Sequence, residues 1–513
     1  VLKAASRHVD KTLYIHLDPQ AKSNLLDKQH LSICSHIITS IYSQSPSHCN
    51  DIDVRVLMAG FKNSSEIPLR TNYNIDLVMF DRTNYGSELS DLEMRYKSFT
   101  MNDKRKEIFL FERELANTET ADALLSVQNE NANNVYCHVV LGGTFDRIHN
   151  GHKILLSEAL LRCKNRLTVG VADGPLLKNK TLKELVEPCE RRLQNVRELL
   201  QDIDPTVEYN VVQILDPMGP ARWDAKLELI VASAETKKGV TLINDTRKED
   251  GLNVLNSHVI DLVNNECRAS AEEEEKISSS SMRMRLLGSL IKPIEPNTSI
   301  PDSPYIIGLT GGSASGKSSV SNRFAKLGAS VIDCDKLGHE AYLKGTECYS
   351  SLIKVFGSDI VNPDGEINRK ALGLKVFNNK DALEKLNSIV WPEIARLANE
   401  QIKAISARGV KIVILDAAVL LEAKWELICH QIWVCVIKRD EAIRRIVERD
   451  GKTKEEAERR ISYQLSNEDR VAKAHMVFCT QWSGEYTQQQ CEKAWKTTMT
   501  VIAEKDSDWK AQL

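Results

Sequence analysis

Gly311-Gly312-Ser313-Ala314-Ser315-Gly316-Lys317-Ser318 has the residue types and spacing of a polyphosphate cradle. A Gly-rich turn can aim successive backbone amides at phosphate oxygens, and a helix beginning near Gly316 would direct its positive end at the same anion. Lys317 is then placed for the β- and γ-phosphates of ATP and Ser318 for Mg2+, with Gly311 through Ser319 forming the nucleotide-binding surface. Two carboxylates follow in Ile332-Asp333-Cys334-Asp335, and if a strand continues through them both lie on one side. Asp335 is the candidate to orient or deprotonate an acceptor hydroxyl. Asp333 is assigned to the substrate's or the metal's surroundings or to loop hydrogen bonds, and a solvated turn is the alternative for the pair. Asp416, at a further strand end, has the placing of a Walker-B-like group. Arg449 and Arg460 stand in basic, amphipathic stretches and suit a part that closes over a transferring phosphoryl group, although a helix surface also explains such charges.

A second constellation lies more than 150 residues earlier, in Thr144-Phe145-Asp146-Arg147-Ile148-His149-Asn150-Gly151-His152. The two imidazoles can meet phosphate oxygens, Gly151 permits a tight approach, and a helix start there adds a positive backbone field. Thr144 belongs to the same nucleotide surface, and Asp146 either holds the turn or binds near the acceptor. Two surface histidines in a loop are the plain alternative. Two separate phosphate sites in one chain imply two reactions.

The elements around these residues have an α/β rhythm. Val135–Leu141 and Tyr305–Leu309 read as strands running into the two phosphate turns, with helices over 151–161 and 317–326 behind them. Further strands are expected at 167–171, 207–214, 229–232, 330–332, 411–415, 432–437 and 476–478. Helices are expected at 190–200, 381–396 and 441–449. Such alternation favours largely parallel sheets with helices on both faces. The fold class is therefore α/β: a Rossmann-like domain over 135–291, a helix from 281 to 291 closing it, a Pro-rich linker over 292–304, and a P-loop domain over 305–513. Glu272–Glu275 and the serines after it also read as a disordered hinge. Residues 1–134 form an accessory region of uncertain α/β fold. Ile52–Met58 and Tyr73–Phe80 suggest strands, and the charged stretch from Arg82 through Arg105 suggests a helix pair or an exposed connector.

A chain of 513 residues exceeds one ordinary core. Its 68 basic and 71 acidic side chains, for a formal charge of −3, offer no electrostatic argument for a nucleic-acid partner. Twelve cysteines without CxxC spacing read as reduced thiols rather than a zinc site. No apolar run approaches the length of a membrane span. The chain starts with Val, so an upstream targeting segment would be invisible here.

Residues 305 to about 495 resemble the dephospho-coenzyme A kinases through Thr310–Ser318, Ile332–Asp335, Leu420-Leu421-Glu422, Arg449-Asp450 and Arg460-Ile461-xx-Gln464. The resemblance implies transfer of the γ-phosphoryl of ATP to the ribose 3′-hydroxyl of dephospho-CoA, with Asp335 on the family's base position. Ala314 stands where relatives commonly carry glycine, which strains the loop only if its φ is positive. Residues 135–291 resemble the phosphopantetheine adenylyltransferases through His149-Asn150-Gly151-His152, Thr144-Phe145-Asp146 and Asp173–Lys180. That resemblance implies adenylyl transfer from ATP to 4′-phosphopantetheine, Lys178 or Lys180 meeting the acceptor phosphate, and Ser279, Ser280, Ser281 and Arg283 forming a nucleotide-binding helix start. Residues 234–250 depart from the family's Gly-rich pattern, which leaves a kinase with a regulatory first domain as one alternative. A non-enzymatic ATP-binding scaffold is the other. The tandem as a whole resembles the bifunctional coenzyme A synthases. The expected partners are ATP, 4′-phosphopantetheine and dephospho-CoA, with Mg2+, in the cytoplasm or at mitochondria.

Overall fold

Strands that are apolar at consecutive positions, rather than alternate ones, must be covered on both faces, and such strands set this architecture. The computed structural model describes residues 2–17, 28–49, 52–58, 71–81, 101–110, 134–376 and 379–511. Packing divides the chain into two units, Val1–Met282 and Arg283–Leu513.

In the first unit, β1 (Thr12–His16) pairs in parallel with β2 (Asp53–Leu57), and β3 (Ile75–Asp81) with β4 (Met101–Leu110). A five-stranded parallel sheet follows, made of β5 (Tyr136–Gly143), β6 (Cys163–Ala172), β7 (Glu208–Ile214), β8 (Leu229–Ser233) and β9 (Asn256–Ile260). Its order is β7-β6-β5-β8-β9, so the chain runs outward from β5 and then crosses back to the other side of it. The helices Asn150–Arg162 and Cys189–Ile203 bury Leu156, Leu160, Val196 and Leu200 against Val139, Leu141 and Val169. Ile38 and Tyr42 of the helix Lys28–His48, and Val54 and Val56 of β2, join that same core. The N-terminal segments therefore share the hydrophobic centre of the sheet they precede.

The second unit carries β10 (Tyr305–Gly311), β11 (Ser330–Asp333), β12 (Ile412–Asp416), β13 (Gln431–Val436) and β14 (Met476–Cys479). They form a parallel sheet ordered β11-β12-β10-β13-β14, in which every residue of β10, β12 and β13 is buried. The α/β class with two parallel sheets agrees with the expectation.

Several local expectations need correction. The helix expected to end at Ile291 runs only from Ser279 to Arg285. Gly288, at φ 71, then turns the chain, and Leu290 bridges Met476 of β14. Residues 283–291 thus pack with the second unit rather than closing the first. Glu272–Glu275 is no open hinge: Asn265 N donates to Glu275 O at 2.6 Å and Glu273 is buried. Residues 234–249, within the stretch that departs from the family's Gly-rich pattern, form a short 3-10 turn and the helix Lys237–Glu249. Asn102–Arg105 lies in β4, whereas 82–100 falls outside the described residues. The helix from Lys380 continues through Pro392 to Ala407, eleven residues past its expected end.

Candidate functional site

The cradle at the end of β10 is shaped by close packing. A Cβ on Gly311 would lie 2.6 Å from both the Cys435 carbonyl oxygen and Ser315 Oγ, so β10 can approach β13 and its own loop only with glycine there. Gly316 takes φ 84 at the N-cap of the helix Lys317–Leu327, whose first amides open into the loop. Ala314 also sits in the left-handed region, at φ 60, which costs an alanine about 1 kcal/mol or more. Neighbouring side chains hold the loop in this state. Gln464 accepts from Ser313 N at 2.9 Å and donates to Ser313 Oγ at 3.0 Å. Arg445 donates to Thr480 Oγ1 at 2.9 Å and to the Thr480 carbonyl at 2.7 Å, while Thr480 Oγ1 donates to the Ser315 carbonyl at 3.0 Å.

Lys317 reaches back from the helix start to Asp416 at the end of β12, in direct contact, and to Asp335 at 3.4 Å. Burial disfavours its ammonium, but Asp416 and Asp335 hold its pKa above the usual lysine value. Register explains the meeting: Asp416 lies beside Leu309 of β10 and Asp333 of β11, all at carboxyl ends. Gly311–Ser318, Asp335, Arg445, Glu448, Arg449 and Arg460 line one cavity of about 570 Å³. Arg449 and Arg460 are both tied to Asp450, at 2.7 and 2.8 Å.

The earlier site is built on the turn between β5 and the helix Asn150–Arg162. The His149 and His152 rings stack with centroids 3.9 Å apart, and Phe145 closes on His152 at 5.0 Å. Ser279 Oγ lies 3.5 Å from His149 Nε2, which brings the serine-rich segment to the histidine turn. Burial, reinforced by the Lys180 ammonium, pushes the His152 imidazole down to about 3, so it is neutral at physiological pH. Fully buried Arg192 fixes the floor, donating to the carbonyls of Thr144 and Ala172 at 2.8 and 2.7 Å and to Asp173 at 2.7 Å.

Comparison with known proteins bears on both sites. A family model described as Cytidylyltransferase-like matches residues 140–285. One described as Dephospho-CoA kinase matches 305–483. The dephospho-CoA kinase of Geobacter sulfurreducens is 38% identical over 190 residues, which are 37% of this chain and 96% of that protein. This chain belongs to the dephospho-CoA kinase family. The kinase of Carboxydothermus hydrogenoformans is likewise 38% identical, over 36% of this chain and 90% of its own length. A dephospho-CoA kinase domain and a cytidylyltransferase-like domain in one chain support the last two steps of coenzyme A biosynthesis.

Within the dephospho-CoA kinase unit, the structure brings Lys317, Ser318, Asp335, Arg449 and Arg460 to one cavity but separates the two carboxylates of Ile332–Asp335. The strand stops at Asp333, whose side chain accepts from Lys336 N and caps the helix Cys334–Glu340. Period-two reasoning fails there because the second carboxylate sits on a helical turn, and Asp333 is not among the cavity-lining residues. Arg445, Gln464 and Thr480 were not singled out as site residues. Gln464 carried a signal in the Arg460-Ile461-xx-Gln464 pattern and Arg445 stood in a basic stretch, whereas Thr480 carried none. In the other unit, Asp146 is wholly buried and accepts from Glu187 N and Arg147 Nη1, each at 2.9 Å, so it holds the turn rather than facing an acceptor. Lys178 and Lys180 are both exposed, and Lys180 is the one close enough to act on His152. Ser281 is buried, and its amide donates to Ser278 Oγ at 3.2 Å, a local helix-start contact; Ser280 is half-buried beside it. Arg283 is almost fully buried and belongs to the kinase-side unit.

Proposed function

We propose that this chain makes coenzyme A from 4′-phosphopantetheine in two ATP-dependent displacements at phosphorus. In the first, an oxygen of the 4′-phosphate attacks the α-phosphorus of ATP. The new P–O bond forms as the bond to the β-phosphate breaks, giving dephospho-CoA and pyrophosphate. His149, His152 and the first amides of the helix Asn150–Arg162 would hold the phosphates in line, with Thr144 and Ser280 beside the nucleotide, buried Ser281 shaping the helix start behind them, and Lys180 ahead of Lys178 at the acceptor phosphate. Because His152 is neutral before substrate arrives, it enters as a hydrogen-bond partner, and the incoming anions favour its protonated form.

In the second, the ribose 3′-hydroxyl of dephospho-CoA attacks the γ-phosphorus of a second ATP and ADP leaves. Asp335 takes the hydroxyl proton, while Lys317, Arg449 and Arg460 meet charge on the transferring group. The oxygen donors around the cradle suit a hard cation such as Mg2+: Ser318 lines it with Asp335, and Asp416 touches Lys317. Among the described residues no cluster of three or more His, Cys, Asp or Glu side chains could hold a metal alone, so the cation would share the nucleotide's oxygens. When bound, Mg2+ would screen the β- and γ-phosphate charge. Among the described residues no helix is long and apolar enough to cross a membrane.

The observation that carries this reading is Lys317, half-buried in a strand-loop-helix cradle against Asp416 and Asp335, in a chain that also stacks two imidazoles at the equivalent turn of a second parallel sheet. The test is to follow both half-reactions separately on the purified chain. Lys317→Ala is expected to lose only phosphorylation of dephospho-CoA, and His152→Ala only adenylyl transfer. Failure of the wild type to accept either 4′-phosphopantetheine or dephospho-CoA would end the proposal.

A further inference from the structure

The stretch Asn150-Gly151-His152-Lys153 is gripped from outside the domain to which the cytidylyltransferase-like match, beginning at residue 140, assigns it. Asn150 Nδ2 donates to the Tyr42 carbonyl at 2.9 Å and to Ser45 Oγ at 2.7 Å, both on the helix Lys28–His48. Lys153 Nζ donates to Asp53 Oδ1 at 2.5 Å and to the Val54 carbonyl at 2.8 Å, both on β2. Tyr42 ties the two anchors together: its hydroxyl accepts from Val56 N at 2.9 Å, and its ring lies 5.9 Å from Lys153 Nζ. Lys153 is 5% exposed. A lysine so buried demands a counter-charge, and the N-terminal region supplies it.

Two further features make these contacts matter to the histidines. His149 stands at the N-cap of the helix Asn150–Arg162 without a side-chain cap, so the helix start is not fixed by the usual local device. The anchors also flank His152, one at Asn150 and one at Lys153, so the imidazole's place along and around the helix axis follows from them. Behind β2, Arg55 pairs with buried Asp202 at 2.5 Å and Tyr14 donates to the same carboxylate at 2.7 Å. This attaches β1 and β2 to the helix Cys189–Ile203, which carries Arg192 under Thr144. The N-terminal region thus reaches the site from two sides.

We propose that the N-terminal region is a working part of the adenylyl-transfer site, with Ser45 and Asp53 as positioning residues that set the His149/His152 pair through Asn150 and Lys153. The inference rests on the transferase reading above. Small displacements of a positioned group cost rate more than affinity, and a shift of about 1 Å can lower a rate about 100-fold.

The experiment uses the full chain. Both half-reactions are measured on wild type, Ser45→Ala and Asp53→Asn, and the His152 ring signal is followed by NMR, assigned by its absence in His152→Gln. Asp53→Asn is expected to lower kcat of adenylyl transfer about 10- to 100-fold with KM for 4′-phosphopantetheine within about 2-fold. Ser45→Ala is expected to lower it about 3- to 10-fold. Phosphorylation of dephospho-CoA should be unchanged, and the His152 signal should move in both variants. Full kcat together with an unmoved His152 signal in both would overturn the proposal. If Asp53→Asn folds poorly, Asp53→Asn/Lys153→Met removes both charges. Recovery of the fold without recovery of kcat supports positioning, and recovery of both refutes it. If the wild type transfers no adenylyl group, the transferase reading fails by itself, and the NMR signal still decides whether the N-terminal anchors hold His152.

Discussion

Replacing Lys317 with Met separates what the lysine does for the fold from what it does for the reaction. Lys317 and Asp416 touch with only 12% and 6% of their side chains exposed, so the methionine leaves a buried carboxylate without its partner. Removing one member of a buried pair costs about 3–5 kcal/mol. For a unit of this size that lowers the melting temperature by about 6–20 °C. Lys317→Met/Asp416→Asn removes both charges and should recover all but about 1 kcal/mol. Phosphoryl transfer should stay at least about 100-fold down in both, because the one ammonium that the cradle aims at the β- and γ-phosphates is gone. Calorimetry at pH 7, with the kinase transition assigned by its shift in ADP, measures the first part and a coupled ADP assay the second. A single variant that melts with wild type at pH 7, or a double variant that regains turnover, would refute the reasoning.

Three more expectations concern the two turns. Ala314→Gly exchanges about 1 kcal/mol of left-handed strain for about 0.4–1 kcal/mol of unfolded-chain entropy, so its melting temperature should barely move, whereas Ala314→Val at φ 60 should destabilise the unit by about 2 kcal/mol or more. Arg445→Gln frees Thr480 from its two guanidinium bonds and should raise KM for ATP about 10-fold in the kinase step while leaving adenylyl transfer untouched. His152→Gln should be the more acid-resistant protein: an imidazole held at about 3 when folded contributes stability above its unfolded value of about 6.5 that is lost as pH falls toward 3, by up to about 1.4 kcal/mol per pH unit relative to the variant.

The parts legible in the sequence were those whose signal is local. β5 and β10 announce themselves by apolar runs, and each turn carries its own chemistry in a few consecutive residues. The strand after the cradle was placed well, but the sequence left Asp333 between the metal's surroundings and loop hydrogen bonds, and only the hydrogen bond from Lys336 N, which makes it an N-cap, decides between them. The helix Lys237–Glu249 escaped notice because its buried face is Val240, Ile243 and Arg247, and an arginine at the third position breaks the apolar period. That Arg247 is fully buried, donating to the carbonyls of Asn253 and Ala221 at 2.7 Å each, is a tertiary fact that periodicity cannot hold. The same limit hid the N-terminal anchors, since Asp53 and Lys153 stand 100 residues apart in sequence.

The two turns occupy the same place in two sheets, and under the proposed function they would meet their anions differently. Each turn leaves the central strand, β5 or β10, at the point where neighbouring connections depart to opposite sides, the crevice in which open parallel sheets bind ligands. At β10 the cationic charge is permanent: Lys317 is kept protonated by Asp416 and Asp335, and the nucleotide must compete with those carboxylates for it. At β5 the charge is conditional: His152 is neutral, so under the proposed adenylyl transfer a polyphosphate there would gain a hydrogen-bond partner first and a cation only if a proton follows. A conditional site depends more on geometry, because a neutral imidazole attracts over a far shorter range than an ammonium. That dependence gives a physical reason for the added N-terminal segments to grip the β5 turn at Asn150 and Lys153, while the β10 turn is held by Gln464, Arg445 and Thr480 of its own unit.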